Sequence, residues 1–176
     1  GISHGTLLPF IRTTTERTKG KGKYESLSLV LDGVKTGVIQ AFAQSHHLTV
    51  NTLVQGVWAL LLQKYTGDPE VLYGVVVSGR PEELAGVEHR VGMYINTLPL
   101  KAAVGEGSVD TIRWLQGLQA EQVSSRQYQY TSLQGLRGWT GIKGDLFDSL
   151  LVFENYPVSK LVASGGWSLQ VENIEI

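Results

Sequence analysis

Residues that could do chemistry are few in this chain. Its four histidines are His4, His46, His47 and His89, and it has no cysteine. The absence of cysteine excludes a thiol nucleophile, a disulfide and a thiolate metal site. The histidines do not form a metal-binding pattern, and the sequence has neither a phosphate-binding Gly-Lys-Ser/Thr loop nor a Gly-x-Ser-x-Gly elbow. We therefore predict no metal site and no catalytic residue.

Two polar features, one after an apolar run and one within another, are better candidates for binding. Ser78-Gly79-Arg80 combines two small residues, which let a ligand approach the backbone, with a rigid fork of donors. The alternative is a turn that ends a strand and carries a surface arginine. Asn96 interrupts the apolar residues 91–100. Its amide needs partners, so it either cross-links the backbone or lines a polar cavity, and both alternatives stay open.

The elements that must position these residues are strands and helices in mixed order. Apolar patterns predict strands at residues 24–31, 71–77, 93–100 and 147–153. Residue types that cap helices predict three helix starts, at Asp32, Thr49 and Ser108. Residues 135–144 contain four glycines and predict a long irregular connection. The predicted fold class is an α/β (α+β) two-layer sandwich with a mixed sheet packed by helices.

Each predicted helix has an apolar face that should be buried. The first helix, about residues 34–46, should bury Val38, Ile39 and Phe42. The second, ended by Gly67, should bury Val50, Leu53, Val54, Val57, Trp58, Leu61 and Tyr65. The third should bury Val109, Ile112, Leu115, Leu118 and Val123.

Composition describes an ordinary globular chain and excludes several classes of partner. The chain has 176 residues, 42% of them hydrophobic and 18% charged, with a net charge of −1. This balance predicts no nucleic-acid partner and no attraction to an anionic membrane. The apolar runs are far shorter than the roughly 20 residues that span a bilayer. We expect a cytoplasmic location, with which the absence of cysteine is compatible.

The two ends suggest a piece of a longer polypeptide. Residues 1–23 predict a linker or mobile arm, because residues 12–23 are rich in Thr, Lys, Arg and Gly. Residues 167–176 alternate apolar and polar side chains, as in a half-buried strand, and the chain stops inside this pattern. We expect a folded unit at residues 24–176 that is truncated at both ends.

Several motifs then follow one another in an order that resembles the second half of a known domain. They include Tyr-Gly-Val-Val-Val-Ser-Gly-Arg at 73–80, Val-Gly-Met-Tyr-Ile-Asn-Thr-Leu-Pro at 91–99 and Phe-Asp-Ser-Leu-Leu-Val-Phe-Glu-Asn-Tyr-Pro at 147–157. The chain resembles the condensation domain of non-ribosomal peptide synthetases over about residues 24–157. The second motif is similar to that family's Gly-x-Phe-(Val/Ile)-Asn-Thr, with Tyr94 where Phe is commoner.

The resemblance implies the C-terminal lobe of a chloramphenicol-acetyltransferase-like fold, whose two lobes face each other across a tunnel. The parent domain would form an amide bond between a carrier-bound acyl or peptidyl thioester and a carrier-bound aminoacyl thioester. The implied partners are the N-terminal lobe, the upstream and downstream peptidyl carrier proteins and the adjacent adenylation domain. The carrier proteins would hold the phosphopantetheine arms, so we expect no cofactor bound directly to this chain.

The resemblance also implies which residues face the tunnel. Asn96 would project towards the reaction centre, and Ser78-Gly79-Arg80 would lie in the segment that bridges towards the other lobe. The full predicted set of tunnel residues is Ser78, Gly79, Arg80, Gly92, Asn96 and Thr97.

His46-His47 begins a false match to the family's catalytic motif, His-His-x-x-x-Asp-Gly. Asn51-Thr52 stands where Asp-Gly belongs, and the two histidines lie between one helix and the cap of the next. We therefore expect the true motif in the other lobe and no activity from the isolated chain. Two alternatives remain, an epimerisation domain of the same fold and a non-catalytic lobe that docks carrier proteins.

Overall fold

A mixed three-stranded sheet lies at the centre of the structure, a computed structural model that describes residues 4–9, 23–80, 84–104 and 110–154. The strands are β1 (Glu70–Val77), β2 (Asn96–Ala103) and β3 (Leu150–Leu151). The middle strand, β1, pairs antiparallel with β2 and parallel with β3. In the first pairing, Val77 at the end of β1 lies opposite Asn96 at the start of β2.

In the described part of the chain, four α-helices accompany this sheet: α1 (Gly33–Ser45), α2 (Val50–Thr66), α3 (Thr111–Ser125) and α4 (Leu133–Thr140). Helix α2 packs on β1, α3 packs on β2, and the two helices contact each other. Tyr73 of β1 and Leu62 of α2 are among the fully buried side chains of the core between these layers. Helices packed on a mixed sheet confirm the predicted fold class. No described helix has the length and hydropathy needed to span a membrane.

The predicted helix starts are set by local hydrogen bonds, and two of three are confirmed. The carboxylate of Asp32 accepts a hydrogen bond from the backbone N–H of Lys35 (2.8 Å), and the hydroxyl of Thr49 accepts one from that of Thr52 (3.0 Å). The third start is wrong by two residues, because Asp110 caps α3 by accepting from two backbone N–H groups of its first turn. Ser108 lies outside the described residues.

Several predicted segments differ in the structure. Residues 24–31 are exposed and belong to no strand, since no described strand lies beside them to accept and donate their backbone hydrogen bonds. In β2, pairing begins only at Asn96 and continues to Ala103. Of the predicted strand at 147–153, Leu150–Leu151 pairs with β1 and Phe147 forms an isolated parallel bridge with Thr6. The predicted irregular connection at 135–144 is wrong for residues 135–140, which belong to helix α4 with its cap at Ser132, while residues 141–144 are irregular.

The predicted apolar face of α2 is only partly buried. Val54, Val57, Leu61 and Tyr65 are exposed, whereas the buried residues of the helix are Thr52, Gln55, Gly56, Ala59 and Leu62. Small and polar residues occupy this face because they fit closely against α3 and β1. The other two helices show similar corrections, since Val38, Phe42 and Val123 are exposed, Ile39 and Ile112 are half-buried, and Val109 lies outside the described residues.

Residues 4–9, the described part of the predicted arm, are packed against the sheet. The backbone N–H of Thr6 donates to Leu146 O (3.1 Å), and its hydroxyl accepts from the backbone N–H of Leu72 in β1 (2.7 Å). Thr6 is 3% exposed. Residues 10–22 and the predicted strand at 167–176 lie outside the described residues, so the boundary at residue 23 stays a prediction.

Candidate functional site

The predicted binding residues come together at the C-terminal end of β1. Ser78-Gly79-Arg80 follows this strand directly, and the antiparallel register places Asn96 opposite its last residue, Val77. Thr97 lies next to Asn96 in β2, and Gly92 lies exposed in the segment that leads into that strand. One end of the sheet therefore holds all the residues that the sequence assigned to a substrate tunnel.

Gly79 forms a tight turn that only glycine fits. Its φ is +64°, a left-handed conformation that side chains disfavour, and an added Cβ would lie 1.6 Å from the carbonyl oxygen of Tyr94. Gly79 is buried against this neighbouring segment. This geometry supports the interpretation of the triplet as a strand-ending turn.

Arg80 links the end of β1 to the backbone around Val87 and Arg90. Its Nη1 donates to the carbonyl oxygens of Val87 and Arg90, and its guanidinium lies 4.4 Å from the centroid of the Tyr94 ring. A guanidinium has five N–H groups, so the donors on Nη2 and Nε are not used by these contacts. Arg80 is thus both a structural clamp and a donor that is held in one orientation.

Asn96 cross-links two segments of backbone. Its Nδ2 donates to the carbonyl oxygens of Gln129 and Thr131, both at 2.8 Å, and its Oδ1 accepts from the backbone N–H of Thr97 at 2.9 Å. The amide therefore holds the segment between α3 and α4 against the start of β2. Of the two alternatives that the sequence left open, these contacts support the cross-link, while a role towards a substrate stays a prediction.

A cavity of about 520 Å³ opens beside this end of the sheet, between α2, β1 and the end of α3. Its lining residues are Asn51, Val76, Val77, Ser78, Arg80, Gln122, Val123, Arg126, Gln127 and Gln129. Of the predicted tunnel residues, Ser78 and Arg80 belong to this lining, and Gly79, Gly92, Asn96 and Thr97 do not.

Sequence reasoning missed Asn51, Arg126 and the glutamines of this cavity. They lie on α2, on α3 and just after α3, and no spacing rule connects these elements to β1. The available signal was polarity, because Asn51 lies in the first turn of a helix whose other residues are largely apolar. Only the packing of α2 against α3 brings these side chains to the end of β1.

The shifted ionisable groups lie elsewhere in the sheet and helices. Burial raises the pKa of Tyr73, whose hydroxyl donates to the carbonyl oxygen of Gln55 (3.0 Å) and stays protonated. The ion pair with Lys101 (2.9 Å) lowers the pKa of Glu70. Among the described residues no three His, Asp or Glu side chains are grouped as metal ligands, and the absence of a metal stays a prediction.

His46 and His47 form the junction between α1 and α2, away from the cavity lining. His46 caps the end of α1, and its ring centroid lies 4.5 Å from that of Phe42. The carbonyl oxygens of His46 and His47 accept hydrogen bonds from Gln116 and Gln119 of α3. These contacts fix the junction between α1 and α2 against α3, and the rejection of the catalytic match stays a prediction.

Comparison with known proteins gives one consistent result. The sequence model of the family described as "Condensation domain" matches residues 4–175. One subunit of linear gramicidin synthase from Brevibacillus parabrevis is 42% identical over 179 residues, which is 100% of this chain and 3% of that protein. Another subunit of the same synthase is 42% identical over 177 residues, which is 99% of this chain and 2% of that protein. The chain thus spans a small fraction of these relatives.

Structural comparison agrees on the fold. The crystal structure of the first condensation domain of the CDA synthetase matches with a TM-score of 0.60 and 20% identity, over 70% of this chain and 28% of that one. A likeness at this level of identity concerns the fold alone.

Proposed function

The chain belongs to the condensation domain family, and from this premise we propose that it is one lobe of a domain that forms amide bonds in non-ribosomal peptide synthesis. The observation that carries the proposal is the family match over residues 4–175, together with 42% identity to two subunits of a peptide synthase. The whole reaction is proposed for the parent domain, because the chain covers 3% or less of those subunits.

In the proposed reaction the amine of a carrier-bound aminoacyl group attacks the carbonyl carbon of a second carrier-bound thioester. A C–N bond forms, the C–S bond breaks, and the donor arm leaves as a thiol that takes up the proton lost by the amine. The phosphopantetheine arms of two carrier proteins present the thioesters. The proposed partners are these carriers, the N-terminal lobe and the adjacent adenylation domain.

We propose that this chain contributes one wall of the substrate tunnel, with Ser78, Gly79, Arg80, Gly92, Asn96 and Thr97 as its residues. Support comes from their common position at one end of the sheet. Asn96 is best described as a positioning residue, because its amide is engaged by backbone groups of Gln129, Thr131 and Thr97. No group of this wall is proposed as the general base, which we place in the other lobe.

The test is an amide-forming assay with both substrates loaded on carrier proteins and the product measured by mass spectrometry. The complete parent domain should form the amide, and residues 1–176 alone should not. The His46→Gln/His47→Gln double variant of the complete domain should keep a rate within a few-fold of wild type, since neither side chain lines the cavity. Inversion of the donor stereocentre without amide formation would instead assign an epimerisation domain and overturn the proposal.

A further inference from the structure

We propose that the cavity at the end of β1 is a binding subsite for an oxyanion, either a phosphate or a carboxylate. Two arginines line it, Arg80 and Arg126, and no residue of its described lining is acidic. The other polar lining residues are one asparagine, one serine and three glutamines, which are neutral and can donate hydrogen bonds. Two cations among neutral donors favour a ligand that carries negative charge on several acceptor oxygens.

Arg126 supplies the freer of the two charges. It follows the last residue of α3 and begins the short 3-10 turn Arg126–Tyr128. Its side chain is exposed, and within the described part of the chain it forms no hydrogen bond or ion pair. A guanidinium pairs with a carboxylate or phosphate through two parallel hydrogen bonds. The Arg126 side chain is therefore available to a ligand in the cavity.

Arg80 supplies the second charge in a fixed orientation. The carbonyl oxygens of Val87 and Arg90 engage its Nη1, and the ring of Tyr94 supports its plane. A ligand that binds the remaining N–H groups does not have to immobilise this side chain, which lowers the entropic cost of binding.

Asn51 adds a neutral donor on the α2 side of the cavity. Its Oδ1 accepts a hydrogen bond from Gln55 Nε2 (3.2 Å), so its own N–H groups are the ones left for the cavity. Gln55 is 1% exposed, and its Oε1 has no hydrogen-bond partner among the described residues. A buried amide that is only partly satisfied costs stability. The Gln55 amide lies one helical turn from Asn51, and its presence favours a role in polar binding for this face of α2 over a role in packing alone.

Two molecules could bring an oxyanion to this cavity, and this part of the inference rests on the proposed function. One is the phosphopantetheine arm of a carrier protein, through its phosphate. The other is a substrate with an acidic side chain, through its carboxylate. Both would place their charge between Arg80 and Arg126.

The experiment measures binding to the complete condensation domain by isothermal titration calorimetry. One pair of probes is 4′-phosphopantetheine and pantetheine, which differ by the phosphate. The other pair is the N-acetylcysteamine thioesters of aspartic acid and asparagine, which differ by the carboxylate. The variants are Arg126→Gln and, as a matched control, Arg113→Gln, an exposed arginine of α3 that is not part of the cavity lining.

Arg126→Gln should weaken binding of the anionic member of one or both pairs by about 10- to 100-fold, the scale of one lost charge-assisted hydrogen bond. The neutral member should bind unchanged, and Arg113→Gln should bind all probes like wild type. Asn51→Asp, which adds a repelling carboxylate, should weaken the same anionic probe. The pair that responds identifies the source of the oxyanion.

Unchanged affinity for both anionic probes in Arg126→Gln would overturn the proposal. Equal losses for anionic and neutral probes, or equal losses in Arg126→Gln and Arg113→Gln, would overturn it as well. Calorimetry measures binding and does not depend on amide formation. If the amide-forming assay fails, the binding test of the oxyanion subsite can therefore still be interpreted.

Discussion

Asn96 illustrates how a single side chain fixes the position of a distant segment. Its two amide hydrogens reach carbonyl oxygens more than 30 residues further along the chain, both at 2.8 Å. Gln129, one of the two residues held in this way, lines the cavity. The amide of Asn96 therefore determines where one wall of the cavity lies without belonging to its lining.

We predict that Asn96→Ala destabilises the domain by about 1–3 kcal/mol, because two half-buried carbonyl oxygens lose their donor. Urea denaturation followed by circular dichroism measures this loss. Asn96→Asp should cost more, since it places a carboxylate against the same two oxygens. An Asn96→Ala variant with the stability of wild type would contradict the cross-link.

The glycine of the strand-ending turn allows a second prediction at this scale. Gly79 and Gly86 both have left-handed φ, +64° and +71°, but an added Cβ meets Tyr94 O at 1.6 Å in the first case and open space in the second. Gly86→Ala should cost about 1–2 kcal/mol from backbone strain alone. Gly79→Ala should cost on the order of 4 kcal/mol or more, because the steric clash adds to this strain.

Thermal unfolding of both glycine variants separates the two contributions. Equal melting temperatures for Gly79→Ala and Gly86→Ala would mean that the segment of Tyr94 can move away, and that the turn is not locked against it.

At the scale of elements, the contact between α2 and α3 decides which face of α2 is buried. A Cβ on Gly56 would lie 2.4 Å from Leu115 Cδ2 and 3.2 Å from the Trp114 ring, so the two helices meet at this glycine. Thr52 donates its hydroxyl hydrogen to Gln119 Oε1 (2.8 Å) in the same interface. The periodicity of apolar residues missed this face, because close approach selects small and polar residues that a hydrophobicity pattern does not count.

We predict opposite effects for two glycine substitutions in these helices. Gly56→Ala should destabilise the domain, because overpacking of about 1–3 kcal/mol exceeds the gain in helix propensity of roughly 1 kcal/mol. Gly117→Ala of α3, where an added Cβ meets nothing within 4 Å, should stabilise it by about 0.5–1 kcal/mol. Denaturant midpoints of both variants give the comparison, and a stabilising Gly56→Ala would show that the helices are not in tight contact.

Helix ends that depend on local hydrogen bonds were predictable, whereas pairing of strands was predictable only in part. The caps at Asp32 and Thr49 and the end of α2 at Gly67 depend on residues within one helical turn, and the sequence predicts all three. Residues 24–31 have the alternation of a strand, but a strand also needs a neighbour, which no pattern within the segment supplies. Helix α4 was missed because its glycines resemble a loop, although Ser132 caps it and Gly141 ends it in the left-handed region.

At the scale of the whole molecule, the site could be predicted only in part. The register between β1 and β2 joins two motifs that the sequence had singled out, Ser78-Gly79-Arg80 and Asn96. The cavity needs in addition the packing of α2 and α3, which places Asn51 and Arg126 beside them. The sequence shows β1 and β2 as two consecutive strands, so their pairing can be predicted. It has no pattern that relates α2 to α3, so the packing of these helices cannot be predicted in the same way.

The docking of residues 4–9 gives a prediction for the whole chain. Thr6→Val keeps the shape of the side chain but leaves the buried backbone N–H of Leu72 without its acceptor. We expect a loss of about 1–3 kcal/mol in the free energy of unfolding, measured in urea. The control is Thr66→Val at the end of α2, whose hydroxyl bonds are local and partly exposed, and which should cost less.

This docked segment also has a consequence for the order in which the molecule assembles. The backbone N–H of Leu8 donates to the carboxylate of Asp148, which lies 140 residues further along the chain. This hydrogen bond therefore closes a loop that includes nearly all of the described residues. The entropy of closing so long a loop is recovered only once β1 and β3 already lie side by side. Residues 4–9 should therefore join late during folding and detach first. In native-state hydrogen exchange, the amides of Thr6 and Leu72 should open with a smaller free energy than that of Tyr73, their neighbour in the centre of β1.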